Sequence, residues 1–325
     1  MTRLDYRPLG STGIMVSAIG FGAWGIGGAT PGATSYGETD DQESLRALNA
    51  AFDCGITVYD TSSVYGDGHS ERLIGQCFEG RRHDVVIATK AGITPSYRGY
   101  DFSPQALRAS LEGSLRRLRT DYVDVLQLHN AGPQIIAGNA DMIGLMTRFV
   151  DEGKVRAWGI STPSPEDALA LLEVAGASCF QVNCNMLDWR AIDAGLPGRA
   201  ATRGTGLIAR TPLAFGFLSG AIGHGTVFPA NDHRSKWSRE RIAIWVEAAQ
   251  SVAAAVEVPD TTEARVALAL RFCLSVEAVA TVIPGMLTRH EVVANVAACE
   301  AGPVEPDAVR IIEGVYRRYE GQLRI

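Results

Sequence analysis

The feature that most restricts this chain is an alternation. Short β-branched apolar runs take turns with longer amphipathic stretches along its 325 residues. The short runs are SAIGFG (17–22), GITVYD (55–60), DVVIATK (84–90), YVDVLQLH (122–129), VRAWGIS (155–161), SCFQVN (178–183), GLIAR (206–210) and AVATVIP (278–284). Several are apolar throughout, as parallel strands covered on both faces are. Between them lie helix-like segments. DDQESLRALNAAFDCG opens on acids, repeats apolar residues at helical spacing and closes on Gly55. SPQALRASLEGSLRRLR offers Ser103 as a cap and Pro104 for the first turn, and SPEDALALLEVAG repeats that design with Ser164 and Pro165. Similar segments lie near 69–79, 140–152, 190–204, 261–273 and 289–300.

Eight strand–helix repeats predict a closed (β/α)8 TIM barrel, with a doubly wound open sheet as the alternative. No Pro/Ser-rich linker or shift in composition divides the chain, so one domain over 1–325 is expected. Three segments exceed the repeats. LDYRPLGSTGIMVSAIG reads as an N-terminal β-hairpin around GSTG. Residues 211–237 form a connection too long to be a plain loop. Extra C-terminal helices are expected over 238–256 and in the amphipathic tail EPDAVRIIEGVYRRYEG.

Composition excludes several functions. The chain is 46% hydrophobic and 20% charged, enough for a large core. A net charge of −6 without a basic run argues against nucleic acid. No apolar window of about 18 residues is present, so no membrane span is expected. The N-terminus lacks the apolar centre of a signal peptide, and a cytoplasmic protein is expected. The six cysteines form no CxxC pair and the six histidines no ligand spacing, so no metal site is expected. Arginine outnumbers lysine 27 to three, the three being Lys90, Lys154 and Lys236. A lysine retained in such a chain is a candidate for chemistry that the permanently charged guanidinium cannot perform.

In a (β/α)8 barrel, chemistry collects at the C-terminal ends of the strands. Here the second strand ends at Asp60, with Tyr65 just beyond, the third at Lys90 and the fourth at His129. The fifth ends at Ser161 and Thr162, the sixth passes Gln181 and Asn183, and the seventh ends at Arg210. Singly, each has a plain explanation, since strands must stop and polar residues mark the stop. Together, Asp60, Tyr65, Lys90 and His129 form a set suited to moving a proton at a carbonyl. An ammonium beside the phenol is expected to lower the tyrosine's pKa, Asp60 to hold the ammonium, and His129 to orient a substrate oxygen. Such a set lacks an electron source and calls for a bound hydride donor.

The chain resembles the aldo-keto reductase superfamily along nearly its whole length. The resemblance rests on PLGSTGIMVSAIGFGAWGIGG, GITVYDTSSVYGDGHSERLIGQCF, VVIATKAG, DYVDVLQLHN, GKVRAWGIST, FQVNCNML, TPLAFGFLSG and VIPGMLTRHEVVANVAA. It implies a barrel that binds NADPH, or less often NADH, with Tyr65 as general acid in a tetrad with Asp60, Lys90 and His129. It also implies that Ser161 and Gln181 hold the nicotinamide carboxamide. Thr162 stands where asparagine is common, and Arg210 where many members stack a tyrosine on the ring. Thr211, Pro212, Leu213, Gly216 and Leu218 fall in the loop that wraps the pyrophosphate. Gly285, Thr288 and Asn295 fit the adenosine-end pattern. Glu291 replaces an arginine or glutamine near the 2′-phosphate, with Arg289 as the compensating cation. A carboxylate there argues for NADH, whereas family habit argues for NADPH.

The expected substrate is a small-molecule aldehyde or ketone, with Trp24, Tyr97, Trp189 and Phe215 as candidate pocket walls. Keto-sugar or pyridoxal reduction is the alternative within the family. A nucleotide-binding regulatory subunit is the alternative outside catalysis. The sequence leaves the oligomeric state open.

Overall fold

The computed structural model describes residues 4–323 apart from 32 and 175. Its chain begins with a hairpin of β1 (Tyr6–Pro8) and β2 (Met15–Ser17), paired antiparallel with Tyr6 opposite Ser17. Eight strands follow: β3 (Phe21–Gly22), β4 (Val58–Asp60), β5 (Val86–Ala91), β6 (Val123–His129), β7 (Val155–Ser161), β8 (Cys179–Asn183), β9 (Gly206–Arg210) and β10 (Val279–Val282). They lie side by side in chain order, every neighbouring pair parallel.

The ring is closed. Parallel bridges join Ile19 to Val282 and Gly22 to Gly285, and the Gly20 and Gly22 amides donate to the Val282 and Pro284 carbonyls at 2.8 and 2.9 Å. This closure removes the doubly wound alternative. It also explains Gly22, because a Cβ there would lie 2.7 Å from the Pro284 carbonyl oxygen.

Helices fall between the strands: α1 (Asp41–Asp53), α2 (His69–Cys77), α3 (Pro104–Leu118), α4 (Pro133–Ile136), α5 (Ala140–Asp151) and α6 (Pro165–Leu171). The series continues with α7 (Arg190–Asp193), α8 (Leu196–Arg203), α9 (Arg239–Ala255), α10 (Thr262–Leu274), α11 (Arg289–Glu300) and α12 (Pro306–Tyr319). Ser103 and Ser164 accept the Ala106 and Asp167 amides, as capping residues do. The segment expected as one helix over 190–204 is two, because Gly195 turns left-handed at φ 69° and Pro197 follows. Strands and helices enclose the main core. A separate inner cluster joins Leu9, Ile14 and Val16 of the hairpin to Val58, Val86, Val125 and Ile208 inside the barrel. The hairpin therefore plugs the N-terminal end and leaves the C-terminal end as the mouth. No helix among the described residues is long and apolar enough to cross a membrane.

Candidate active site

Three adjacent strands deliver the acidic and basic groups. Asp60 ends β4, Lys90 lies near the end of β5, and His129 ends β6. Lys90 is completely buried. Its Nζ donates to Asp60 Oδ2 at 2.5 Å, to the Thr61 carbonyl at 2.9 Å and to the Tyr65 hydroxyl oxygen at 3.1 Å. Three donors thus have three acceptors in a nearly tetrahedral demand that a planar guanidinium does not meet. Asp60 is held on its other oxygen by Gln181 Nε2 at 2.7 Å and Gln127 Nε2 at 3.2 Å. His129 Nδ1 lies 3.1 Å from Ser62 Oγ, and its ring meets Tyr65 edge-on at 6.0 Å. Behind β5, the buried Glu71 of α2 accepts from Thr89 Oγ1 at 2.6 Å and from Arg117 Nε at 2.7 Å, which pins the strand beside Lys90.

The turn after β4 carries the phenol back over the mouth. Gly66 has φ 59°, a conformation that suits glycine. It also touches the loop after β3 backbone to backbone. A Cβ on Gly66 would sit 1.9 Å from the Gly27 carbonyl oxygen, and one on Gly27 would sit 2.8 Å from the Tyr65 carbonyl carbon. The glycine-rich stretch after the first barrel strand is thus a seat for the Tyr65 turn.

The electrostatics differ from the expectation of a lowered phenol pKa. Burial pushes the Tyr65 hydroxyl far above its ordinary value, and Asp60 pushes the same way; Arg210 opposes them. The Lys90 ammonium is bonded to the phenol oxygen, but it also holds the Asp60 carboxylate at 2.5 Å, whose charge acts on the hydroxyl in the opposite direction. Lys90 is itself lowered by burial, against the pull of Asp60. His129 is held well below its usual range by burial and by Lys90 and Arg210, so its ring is neutral. The surroundings keep the proton on the phenol and do not prepare a phenolate.

Across the mouth, β7 to β9 present a second set. Arg210 donates from Nε to Asn183 Oδ1 at 2.8 Å, from one terminal nitrogen to Asn130 Oδ1 and Ser161 Oγ at 3.1 Å each, and from the other to the Thr162 carbonyl at 2.8 Å. Thr162 Oγ1 is buried and has no partner among the described residues, so a hydroxyl is waiting for a polar group. The following segment, Thr211 to Ser219, is a knot of tight turns with Phe215 and Gly216 at φ 58° and 97°. The amides of Gly216 and Leu218 are taken by the Leu213 carbonyl, at 2.9 and 3.2 Å. Gly285 bridges to Gly22 at the rim, and Asn295 is buried on α11. Thr288 caps α11 in a capping box with Glu291, whose carboxylate accepts the Leu287 and Thr288 amides at 2.7 and 3.0 Å. That carboxylate is turned back onto the helix end, not outward as its position in the sequence suggests, because the open N–H groups of a first turn attract it.

Comparison with known proteins decides what this arrangement belongs to. The profile of the Aldo/keto reductase family matches residues 18–317. The chain is an aldo/keto reductase. It is 32% identical to the aldo-keto reductase YhdN of Bacillus subtilis over 255 residues, covering 75% of this chain and 74% of that protein. It is 30% identical to the L-galactose dehydrogenase of Arabidopsis thaliana, covering 92% and 89%. A holo-form aldo-keto reductase of Bacillus halodurans superposes with a TM-score of 0.77 at 26% identity, covering 96% of both chains. The reaction of the family is NAD(P)H-dependent carbonyl reduction, and this reductase is an oxidoreductase of that kind.

The aromatic residues divide differently from the expectation. Trp24 lies at the mouth with its ring 6.3 Å from Tyr65, and Tyr97 is close enough to raise its pKa electrostatically with Tyr65, after burial. Phe215 packs on His233 and Trp237 of the same long connection, at 5.5 and 5.4 Å. Trp189 is a correction. Its ring is buried against Phe272 and Tyr316 at 5.2 and 6.0 Å, and its Nε1 donates to the Met186 carbonyl, so it packs the helix layer of the reductase. In its place stand Tyr36 and His233, which contact Trp24 at 4.8 and 4.9 Å. They come together because the two loops are stitched by a Ser35–Asp232 bridge and by the His233 amide donating to the Ser35 carbonyl at 2.8 Å. No local pattern announces a contact between residues 200 positions apart. Gln127, by contrast, carried a signal: a lone amide in the apolar run YVDVLQLH.

Proposed function

We propose that Tyr65 is the general acid of this reductase, that Lys90 and Asp60 hold it in place and supply its hydrogen-bond partner, and that neutral His129 orients the carbonyl oxygen. The observation that carries the reading is the Lys90 ammonium bonded at once to Asp60 and to the phenol, at the mouth of a closed barrel. Tyr65 keeps its proton until a substrate oxygen gains negative charge, which is the behaviour wanted of an acid in carbonyl reduction.

The residues opposite fit a nicotinamide. An orphaned Thr162 hydroxyl, the Ser161 hydroxyl and the Gln181 amide offer donors and acceptors for a carboxamide, and the planar Arg210 offers a face for the ring. The bound dinucleotide supplies the hydride. We infer NADPH as the form used. The Glu291 carboxylate is engaged in its capping box, and Glu43, which accepts the Arg289 amide at 3.4 Å, is answered by Arg46 at 2.8 Å. The Arg289 side chain on the same turn is exposed and cationic. The substrate is a small aldehyde or ketone that lies against Trp24 and Tyr97, with Phe215 further out. Thr211, Pro212, Leu213, Gly216, Leu218, Gly285, Thr288 and Asn295 line the path of the rest of the dinucleotide in this reading.

The test is Tyr65→Phe, measured by cofactor binding and by turnover on a panel of aldehydes and keto-sugars. The expected outcome is unchanged dinucleotide affinity and turnover lower by about 10²–10⁴-fold. Unchanged turnover refutes the assignment. A wild-type protein that binds dinucleotide but reduces nothing on the panel supports a regulatory role instead.

A further inference from the structure

Three of the acids around the mouth already own their cations. Asp60 is paired with Lys90 at 2.5 Å. Asp188 is gripped by Arg190 through two bonds at 2.8 and 2.6 Å, and Asp232 by Arg234 in the same manner at 3.0 and 2.6 Å. Arg210 stands differently. Its four side-chain bonds go to the Asn183, Asn130, Ser161 and Thr162 oxygens, all neutral, and no carboxylate among the described residues lies within ion-pair distance of it. Its charge feels Asp60 and Asp188 only from a distance, and the neighbouring His129 ring is neutral. Arg210 is partly buried at the mouth, with its terminal nitrogens held against Ser161 and Thr162. In a partly desolvated site such a charge is weakly screened.

Reduced nicotinamide is a neutral ring, and oxidised nicotinamide carries one positive charge, the hydride having left with both electrons. We propose that Arg210 makes this site read the redox state of the nicotinamide, keeping the neutral reduced ring and rejecting the cationic oxidised one. The inference rests on the reading that the ring lies against Arg210. An electron-rich reduced ring is also the better partner for a guanidinium face, so stacking and charge act in the same direction. The consequence is a reductase biased toward reduction, whose oxidised dinucleotide leaves readily. Two unit charges about 7 Å apart at an effective dielectric near 20 correspond to a roughly fifty-fold difference in affinity.

The experiment is a fluorescence titration without carbonyl substrate, using NADPH and NADP+ on the wild type, Arg210→Lys, Arg210→Met and Asn183→Ala. The wild type is expected to bind the reduced form about ten- to fifty-fold more tightly. Arg210→Lys and Asn183→Ala, which keep the cation, are expected to retain most of that ratio. Arg210→Met is expected to bring it near one, chiefly by tightening NADP+. A wild-type ratio near one, or an Arg210→Met protein that loses both forms equally and keeps the ratio, overturns the inference and leaves Arg210 a brace between strand ends. If Arg210→Met does not fold, a ratio lost in Arg210→Lys overturns it equally. Binding of neither dinucleotide to the wild type overturns the proposed function itself, a distinct outcome.

Discussion

Two buried acids sit at opposite ends of the barrel, and they are built differently. Asp60, at the C-terminal end of β4, faces one lysine and two glutamine amides. Asp124, near the N-terminal end of β6, faces two arginines, Arg82 at 2.6 Å and Arg156 at 2.7 Å, and accepts the Ile87 amide at 2.9 Å. Both carboxylates are satisfied, and both lie almost out of reach of solvent. What differs is the cation. Arg82 gives its terminal nitrogens to Asp124 and to the Val85 and Tyr122 carbonyls, and Arg156 reaches Asp124 from a half-exposed position, an arrangement that fastens β5, β6 and β7 together. The Lys90 ammonium keeps one of its three donors for a phenol, and so connects the acid pair to the mouth. The same chemical pairing is a fastener at one end and, at the other, reaches a phenol as well. In a chain with 27 arginines and three lysines, one of the lysines is found where the third donor is needed.

That contrast can be broken by experiment. The largest effect is expected for Asp124→Ala, which leaves the Arg82 guanidinium mostly buried without its acid. Stability at pH 7 should fall by about 3–5 kcal/mol in urea denaturation, while turnover per folded molecule stays close to that of the wild type. A comparable loss of turnover in the folded fraction contradicts the division of labour. Next comes Lys90→Arg, which keeps the charge but removes the compact ammonium. Turnover should fall by about a hundredfold or more, equivalent to about 2.7 kcal/mol, with a smaller change in stability than Asp124→Ala produces. The smallest effect concerns neither acid but the connection that closes over the mouth. Burial lowers the His233 ring to about 4, with Asp232 opposing. An unfolded histidine titrates near 6.5, so between these values the unfolded chain takes up a proton that the folded one refuses. Stability is therefore lost as pH falls from about 6.5 toward 4, and His233→Phe should flatten that slope. An unchanged slope assigns the acid sensitivity elsewhere.

Much of this was legible in the sequence because it is periodic or terminal. Strand runs announce themselves by β-branched apolar content, and the polar residues that end them mark the mouth once the barrel is assumed. Asp60, Lys90 and His129 came from that rule alone. Bounds were less legible: SAIGFG holds a strand of only Phe21–Gly22, since the residues before it serve the plug and the barrel closure. The electrostatic sign at Tyr65 was not legible at all. Spacing shows that an ammonium is near, but not that an acid at 2.5 Å offsets it or that burial dominates. Trp189 and His233 fail in opposite directions for one reason. An aromatic in a connection has no period to say which way it faces, and its partners lie far away in the chain.

The contact between Gly27 and Gly66 has a consequence for anyone reshaping this protein. The phenol at the mouth is aimed by two positions that own no side chain at all, one on each of two loops that approach within a single atom's width. A substitution scan would mark both as intolerant, although neither offers a functional group to any ligand. Libraries meant to change what the protein accepts are therefore better spent on Trp24, Tyr36 and Tyr97, leaving the bare backbone between those loops untouched.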